Sequence, residues 1–237
     1  FKDFVANKNQ QEAIMHPLAP LMILASAGTG KTATIIHRLV HMVTQKNIDP
    51  SSILTITYTE KAAQELKDRI KKLIDIDNNS MNVTTFHGLC LKIVREFGQK
   101  KNDYALIKND ELAYKILEKF DDLGPFKSRE FKKNPLQAIT QSFLPFLDRL
   151  HDELLTLDGV PKRQLIYDEE EMNYQLEDLI RFYPIVQDMK KSANRLDYGD
   201  MILSAHQLLS SNYNILSKVQ NKYQHLIIDE FQDNNHS

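Results

Sequence analysis

The chain has 237 residues, of which 42% are hydrophobic, enough to bury a core in one large domain or two modest ones. Its formal net charge of -2 gives no overall attraction for nucleic acid, and its single cysteine excludes an internal disulfide and a zinc cluster of the Cys-x-x-Cys kind. The sequence contains no apolar run near the roughly 20 residues that span a bilayer and no signal-peptide profile, so we expect a soluble cytoplasmic protein without membrane contact.

Short apolar runs and longer amphipathic runs alternate over the first part of the chain. Apolar runs of strand length predict three strands, at residues 21–25, 53–58 and 81–85. Runs with apolar residues at three-to-four spacing predict three helices, at residues 31–45, 60–74 and 86–97. This alternation is typical of an α/β fold with a parallel sheet and flanking helices.

The strand pattern stops near residue 109, and helical patterns replace it as far as residue 192. Three turn signals separate the helical segments: Gly124-Pro125, Asn134-Pro135 and Gly159-Val160-Pro161. We therefore predict an all-α unit at residues 109–194.

The last part of the chain returns to the α/β pattern. Helices are predicted at residues 197–210 and 213–222, followed at residues 226–228 by a fully apolar strand that belongs in a buried parallel sheet. The helical unit is then an insertion in an α/β domain formed by residues 1–108 and 195–237.

A glycine-bearing turn follows the first predicted strand. The spacing Gly28-x-Gly30-Lys31-Thr32 at the start of a helix lets backbone N–H groups and the helix N-terminus converge on an anion. Lys31 would pair with the phosphates of ATP and Thr32 would bind Mg²⁺, although Ala25 stands where the full phosphate-loop pattern has its first glycine. The predicted phosphate-binding residues are Ala27, Gly28, Thr29, Gly30, Lys31, Thr32 and Ala33.

Two carboxylates follow the last apolar strand, at the sheet edge that would carry the phosphate loop. Asp229 would hold Mg²⁺, and Glu230 would align and deprotonate the water that attacks the γ-phosphate. Alone, such a pair is usually a solvated turn. Together with the glycine loop it indicates ATP hydrolysis, with Lys31, Asp229 and Glu230 as catalytic residues.

Further segments stand in a recognisable order along nearly the whole chain. They are NKNQQEAI (7–14), ITYTEKAAQELKDRI (56–70), TTFHGLC (84–90), LDYGDMI (196–202) and IIDEFQD (227–233). In this order they resemble superfamily 1 DNA helicases of the UvrD/Rep type. The resemblance implies a RecA-like P-loop sheet interrupted by an all-α subdomain, and an ATP-dependent, nucleoid-associated DNA motor that moves 3′ to 5′.

The resemblance also assigns roles around the nucleotide. Gln10 is similar to the glutamine that contacts the adenine edge, and Gln232 to the residue that links the nucleotide site to the DNA-facing loops. Arg38 is similar to an arginine that lies beside the base, with a plain surface arginine as the alternative.

Two triplets match the motifs that contact single-stranded DNA. They are Thr57, Tyr58 and Thr59 after the second predicted strand, and Thr85, Phe86 and His87 after the third. Hydroxyls suit phosphates and rings suit base stacking. A core role for Tyr58 and an interior hydrogen-bonded role for His87 are the alternatives.

The match ends at Ser237, before any counterpart of the second RecA-like domain and the arginines that it supplies across the cleft. Because such an arginine is worth about a thousandfold or more in phosphoryl transfer, we expect this chain alone to bind ATP and DNA, with little turnover and no helicase activity. The missing domain is then an expected partner.

Charged residues supply two further hypotheses. Basic residues outnumber acidic ones between Lys92 and Lys133, so this stretch would contact duplex DNA at a single-strand/double-strand junction, unless it is only a solvated helical face. Asp197 and Asp200 are interpreted as a helix cap rather than a metal pair.

Two other function classes stay open from the sequence. A small-molecule kinase shares the phosphate loop but needs an acceptor pocket and a lid, for which the sequence has no obvious segment. A non-catalytic, ATP-dependent DNA-binding module is the other alternative.

Overall fold

The computed structural model describes residues 4–26, 28–75, 80–98, 104–155, 157 and 170–231. Within them, contacts group the described residues of Phe1–Leu89 and Tyr213–Asn234 into one compact unit and those of Cys90–Asn212 into another. The domain boundaries after residues 108 and 194 stay a prediction. The predicted turn at residues 159–161 lies outside the described residues.

Helices and short strands alternate along the chain. They are α1 (Lys8–Met15), α2 (Lys31–Gln45), a 3-10 turn (Pro50–Ser52), β1 (Ile53–Thr57), α3 (Glu60–Lys71), β2 (Asn82–Thr85), α4 (Phe86–Phe97), β3 (Ala105–Leu106), α5 (Asn109–Glu118), α6 (Phe120–Leu123), α7 (Arg129–Lys133), α8 (Pro135–Ala138), a π-helical turn (Ile139–Phe143), α9 (Leu144–Asp152), α10 (Glu170–Ser192), β4 (Arg195–Leu196), α11 (Tyr198–Ser211), α12 (Tyr213–Lys222) and β5 (His225–Ile228). Among the described residues, no helix combines the length and the apolar character that crossing a membrane requires.

A parallel sheet in the order β2-β1-β5 organises the first unit. Thr57 of β1 lies opposite Thr85 of β2, and Ile56 of β1 lies opposite Ile228 of β5. All five residues of β1 are buried, as expected for a central parallel strand covered on both faces. Because the strands are parallel, their carboxyl ends meet at one edge of the sheet.

The core of the first unit joins helices α2 and α3 to β1 and β2. Its buried members are Ile36, Leu39, Met42, Ile53, Ala63, Leu66, Ile70, Met81 and Val83. The apolar spacing of α2 and α3 places these side chains on one face of each helix. The predicted helices at 31–45, 86–97 and 213–222 are confirmed with these bounds, whereas α3 ends at Lys71 rather than at residue 74.

Two predictions about strands are wrong. Residues 21–25 form no strand, because no described strand pairs with their backbone, and Leu24 is 86% exposed. Strand β5 forms and runs parallel to β1, but it is not fully buried: Leu226 is 58% exposed. In the described sheet β5 is an edge strand, with a neighbour on one side only.

The described residues of the second unit are mainly helical. An aromatic cluster forms its centre, with the ring of Phe182 edge-on to Phe126, Phe131 and Phe143 at centroid distances of 5.0, 5.2 and 5.7 Å. The sequence did not predict the parallel pairing of β3 with β4, because two residues per strand are too few to show a pattern.

A buried cluster of charges surrounds the start of α11. Asp197 accepts a hydrogen bond from the Asp200 backbone N–H at 2.8 Å, and Asp200 accepts one from the Asp197 N–H at 3.1 Å, so the predicted helix cap is confirmed. The Lys190 ammonium lies 2.6 Å from Asp197 Oδ2 and 2.7 Å from Asp200 Oδ2. Lys190 therefore pairs with both carboxylates, and its one positive charge balances one of their two negative charges.

We predict that Lys190→Met destabilises the chain by about 3–5 kcal/mol, because it leaves two buried carboxylates without their cation. Urea unfolding followed by circular dichroism measures the change. Lys191→Met, at the exposed next position of α10, serves as the control and should cost less than about 0.5 kcal/mol. Equal stability of the two variants would contradict the assignment.

Candidate nucleotide site

The loop before α2 has the geometry of a phosphate loop. Gly28 and Gly30 adopt left-handed φ angles of 77° and 86°, which favour glycine, and α2 begins directly after Gly30. The Thr29 hydroxyl donates to the Ser26 carbonyl at 2.7 Å and closes the turn. The free N–H groups of a helix N-terminus therefore lie behind a tight loop, an arrangement that suits an anion. Ala27 lies outside the described residues.

Gln10 lies against this loop. Its side-chain amide donates to the Thr29 carbonyl at 3.1 Å and accepts from the Asn7 N–H at 2.9 Å, which caps α1. A Cβ atom at Gly30 would lie 3.1 Å from Gln10 Nε2. The predicted adenine-contacting residue and the phosphate loop are thus adjacent, although far apart in the sequence.

Lys31, Thr32 and Ala33 form the first turn of α2. The Lys31 ammonium donates to the Ala25 carbonyl at 3.2 Å, so it folds back across the loop. Thr32 lines one cavity together with Asp229. The first turn of α2 therefore meets the acidic pair near the end of the chain.

Asp229 continues from β5, and its N–H donates to the Ile56 carbonyl of β1 at 2.9 Å. Its side chain is buried, and Oδ1 has no hydrogen-bond partner. Burial raises the pKa of Asp229, and the neighbouring Glu230 raises it further. A buried carboxylate oxygen without a partner, next to a threonine hydroxyl, fits the oxygen ligands that Mg²⁺ prefers.

Glu230 adopts a positive φ of 55°, an uncommon conformation for a residue other than glycine. Together with Asp229 it lines a cavity of about 240 Å³ that also contains Thr32 and Tyr58. The same cavity therefore borders the predicted metal ligands and a predicted DNA-contacting side chain.

Two charged residues of this cavity have no role predicted from the sequence: Glu65 and Arg69 of α3, which form an ion pair at 3.6 Å. The sequence does contain a signal that could have identified these two residues. Ala62, Glu65 and Arg69 lie three and four residues apart, so they share one face of α3.

Arg38 is not a free surface arginine. Its guanidinium donates to the carbonyls of Ala13, His16 and Pro17 at 2.9, 3.0 and 3.1 Å, and burial lowers its pKa. These bonds hold the end of α1 and the residues after it. Gln232, the other residue assigned near the nucleotide, lies outside the described residues.

The first predicted DNA-contacting triplet presents one ring to solvent. Tyr58 is 68% exposed, which rules out a role in the core. The Thr57 hydroxyl donates to the Thr59 carbonyl at 3.1 Å, and the Thr59 hydroxyl accepts from the Ala62 N–H at 3.1 Å to cap α3. Both hydroxyls are therefore engaged within their own loop.

The second triplet begins at the end of β2. Thr85 is buried, and its hydroxyl accepts from the Gly88 N–H at 3.0 Å at the start of α4. Phe86 and His87 are half-buried and pack edge to face at 6.4 Å. Burial lowers the pKa of His87, which favours the neutral imidazole. The opposition of Thr57 and Thr85 places the two triplets side by side.

Part of the basic stretch is neutralised within the second unit. Lys127 pairs with Glu177 of α10, and its N–H donates to Asp178 at 2.9 Å. The Lys132 ammonium donates to the Lys127 carbonyl at 3.3 Å. These contacts favour a solvated helical face for this part of the stretch.

A glycine loop at a helix N-terminus, a carboxylate that contacts the first turn of that helix, and a parallel sheet define the class of phosphate-loop α/β domains. A family model of the UvrD/REP helicase N-terminal domain matches residues 6–237, and the chain belongs to this family. The predicted RecA-like fold, with a parallel sheet and flanking helices, is confirmed.

Curated relatives cover nearly all of the chain. It is 30% identical over 246 residues to a probable DNA helicase II homolog of Rickettsia conorii, covering 99% of this chain and 34% of the relative. The identity is 32% over 234 residues to a probable DNA helicase II homolog of Mycoplasma pneumoniae, with 97% and 31% covered. It is 29% over 234 residues to the ATP-dependent DNA helicase PcrA of Staphylococcus aureus, with 97% and 30% covered. The chain spans about a third of the length of these relatives.

We predict that Arg38→Met loosens α1, because three carbonyl oxygens lose their donor, at a cost of about 1–3 kcal/mol. Hydrogen–deuterium exchange should become faster at residues 8–15. Lys46→Met, at the exposed end of the same helix as Arg38, is the control and should leave this exchange unchanged. Unchanged exchange in the Arg38 variant would show that these bonds do not stabilise α1.

Proposed function

We propose that this chain is the ATP-binding and single-stranded-DNA-binding part of an ATP-dependent DNA helicase that moves 3′ to 5′. One observation carries the proposal: Thr32 of the phosphate loop and Asp229 of the acidic pair line one cavity. Two motifs far apart in sequence thus face a common cavity, as a shared Mg²⁺-nucleotide site requires.

In the proposed site the backbone N–H groups of Gly28, Thr29 and Gly30 hold the phosphates, with Ala27 and Ala33 flanking them. Lys31 exchanges the Ala25 carbonyl for the β- and γ-phosphates. Thr32 and Asp229 hold Mg²⁺, which neutralises charge on the phosphates when it is bound. The buried, unpartnered Oδ1 of Asp229 supports this ligand role.

Glu230 acts in this proposal as the base that aligns and deprotonates the attacking water. Gln10 contacts the adenine, and its position against Thr29 supports that role. Arg38 lies beside the adenine base of the nucleotide and also holds α1 in place. Gln232 links the nucleotide to the DNA-facing loops.

We assign the DNA contacts to the two adjacent triplets, Thr57-Tyr58-Thr59 and Thr85-Phe86-His87. The exposed ring of Tyr58 stacks on a DNA base. The other five residues of the two triplets form the rest of the DNA-binding surface. Tyr58 shares its cavity with Asp229 and Glu230, which supports coupling between nucleotide state and grip on DNA.

The whole motor is proposed to need a second RecA-like domain, which would supply arginines to the nucleotide. Without them the present chain binds its ligands but turns over little ATP and unwinds no DNA. The motor would act in the cytoplasm, on the nucleoid, at junctions of single- and double-stranded DNA. There the basic stretch between Lys92 and Lys133 would contact the duplex.

We predict two separable defects. Lys31→Ala should abolish binding of a fluorescent ATP analogue with Mg²⁺, because the phosphates lose their cation. Tyr58→Ala should weaken binding of an oligo-dT strand about 5- to 100-fold, the range expected for one base stack, while leaving nucleotide binding intact. Fluorescence anisotropy measures both affinities.

The matched control is Tyr213→Ala, which removes another exposed tyrosine of the same unit, 79% exposed, and should change neither affinity. ATPase assays with and without the oligonucleotide separate the alternatives. DNA binding without any turnover indicates the non-catalytic module, and phosphate transfer to a small acceptor indicates a kinase. Nucleotide binding that survives Lys31→Ala would refute the proposed site.

A further inference from the structure

We infer that Glu60 is a positioning residue for the single-stranded-DNA surface: its carboxylate holds Thr85 and thereby fixes the second DNA-facing triplet relative to the first. This inference rests on the proposed function. The sequence analysis assigned Glu60 no role.

The contact between Glu60 and Thr85 is short and directional. The Thr85 hydroxyl donates to Glu60 Oε1 at 2.7 Å and accepts from the Gly88 N–H at 3.0 Å. The hydroxyl is used as donor and as acceptor, so its rotamer is determined. Thr85 is only 7% exposed, which shelters the bond from water.

The bond joins two elements at the sheet edge. Glu60 is the first residue of α3 and follows the triplet that contains Tyr58, whereas Thr85 ends β2 and precedes Phe86 and His87. The two residues are 25 positions apart in sequence. The last ladder pair joins Thr57 of β1 to Thr85 of β2, and the Glu60–Thr85 bond adds a side-chain link from the end of β2 to the start of α3.

Close packing at Gly88 supports the same arrangement. A Cβ atom at Gly88 would lie 2.4 Å from Thr84 Oγ1, 3.1 Å from Thr85 Oγ1 and 3.4 Å from Glu60 Oε1. The first turn of α4 therefore approaches both partners of the bond as closely as glycine permits. A shift of Thr85 would move the start of α4, and with it Phe86 and His87.

Glu60 would help DNA binding through its hydrogen bond to Thr85 and not through its negative charge. Glu60 is exposed, and an exposed carboxylate beside a surface for phosphates repels them. The carboxylate also lies near the N-termini of α3 and α4, where a negative charge is favourable for the protein itself. Glutamine at this position would keep the acceptor and remove the repulsion.

The test compares Glu60→Ala, Glu60→Gln, Thr85→Val and Thr85→Ser by anisotropy of an oligo-dT strand at fixed salt. Glu60→Ala should weaken binding about 3- to 10-fold. Thr85→Val should weaken it at least as much, because it also removes the acceptor of the Gly88 N–H, and the double variant should lose no more than Thr85→Val alone. Glu60→Gln should bind the strand as well as the unaltered chain or more tightly. Thr85→Ser keeps the hydroxyl and should bind the strand as well as the unaltered chain.

Two measurements separate positioning from misfolding and from simple charge. Binding of the fluorescent ATP analogue should be unchanged in all four variants, which shows that the domain is folded. Glu12→Ala, which removes an exposed carboxylate from α1, should not weaken DNA binding.

The outcomes are distinct. Full DNA binding by Glu60→Ala, or weak binding by Glu60→Gln, overturns the inference while the proposed function stands. Additive losses in the double variant also overturn it. No DNA binding by the unaltered chain, with or without the nucleotide, overturns the proposed function and this inference with it.

Discussion

The parallel pairing of β1 with β2 on one side and β5 on the other is the constraint on which the candidate site depends. It brings three carboxyl ends to one edge, so the residues after each strand become neighbours. The bond from the Asp229 N–H to the Ile56 carbonyl extends this pairing by one residue and holds Asp229 at the cavity that Thr32 also lines. Complete burial of β1 stabilises the edge from within.

Three groups at that edge are in states that bear on a ligand. Asp229 Oδ1 is buried without a partner, Glu230 has a left-handed backbone, and Lys31 is bonded to a carbonyl of its own loop. The unpartnered oxygen and the backbone of Glu230 each cost free energy in the protein alone. A divalent cation would give Asp229 Oδ1 a partner, and Lys31 could exchange its carbonyl for a phosphate. The candidate nucleotide site is thus suited to a bound cation and a bound phosphate.

The buried carboxylates of the second unit provide a contrast. Asp197 and Asp200 share the Lys190 ammonium and cap α11, so both carboxylates have partners within the protein. The comparison separates two uses of buried acids in one chain: those near Lys190 stabilise a helical unit, whereas Asp229 is available to a ligand.

Local sequence determined much of this protein. Apolar spacing predicts the helices at residues 31–45, 86–97 and 213–222, and the residue types at its start predict the cap at Asp197. These signals act over a few neighbouring residues. The order of the motifs is read directly from the sequence. Tertiary structure alone decided that residues 21–25 form no strand, that Leu226 is exposed, and that Arg38 holds α1. It also decided that Glu60 bonds to Thr85 and that Thr32 and Asp229 line one cavity. These features depend on which strands are neighbours and on contacts between side chains distant in sequence. A local sequence pattern does not specify which distant residue a given side chain will contact.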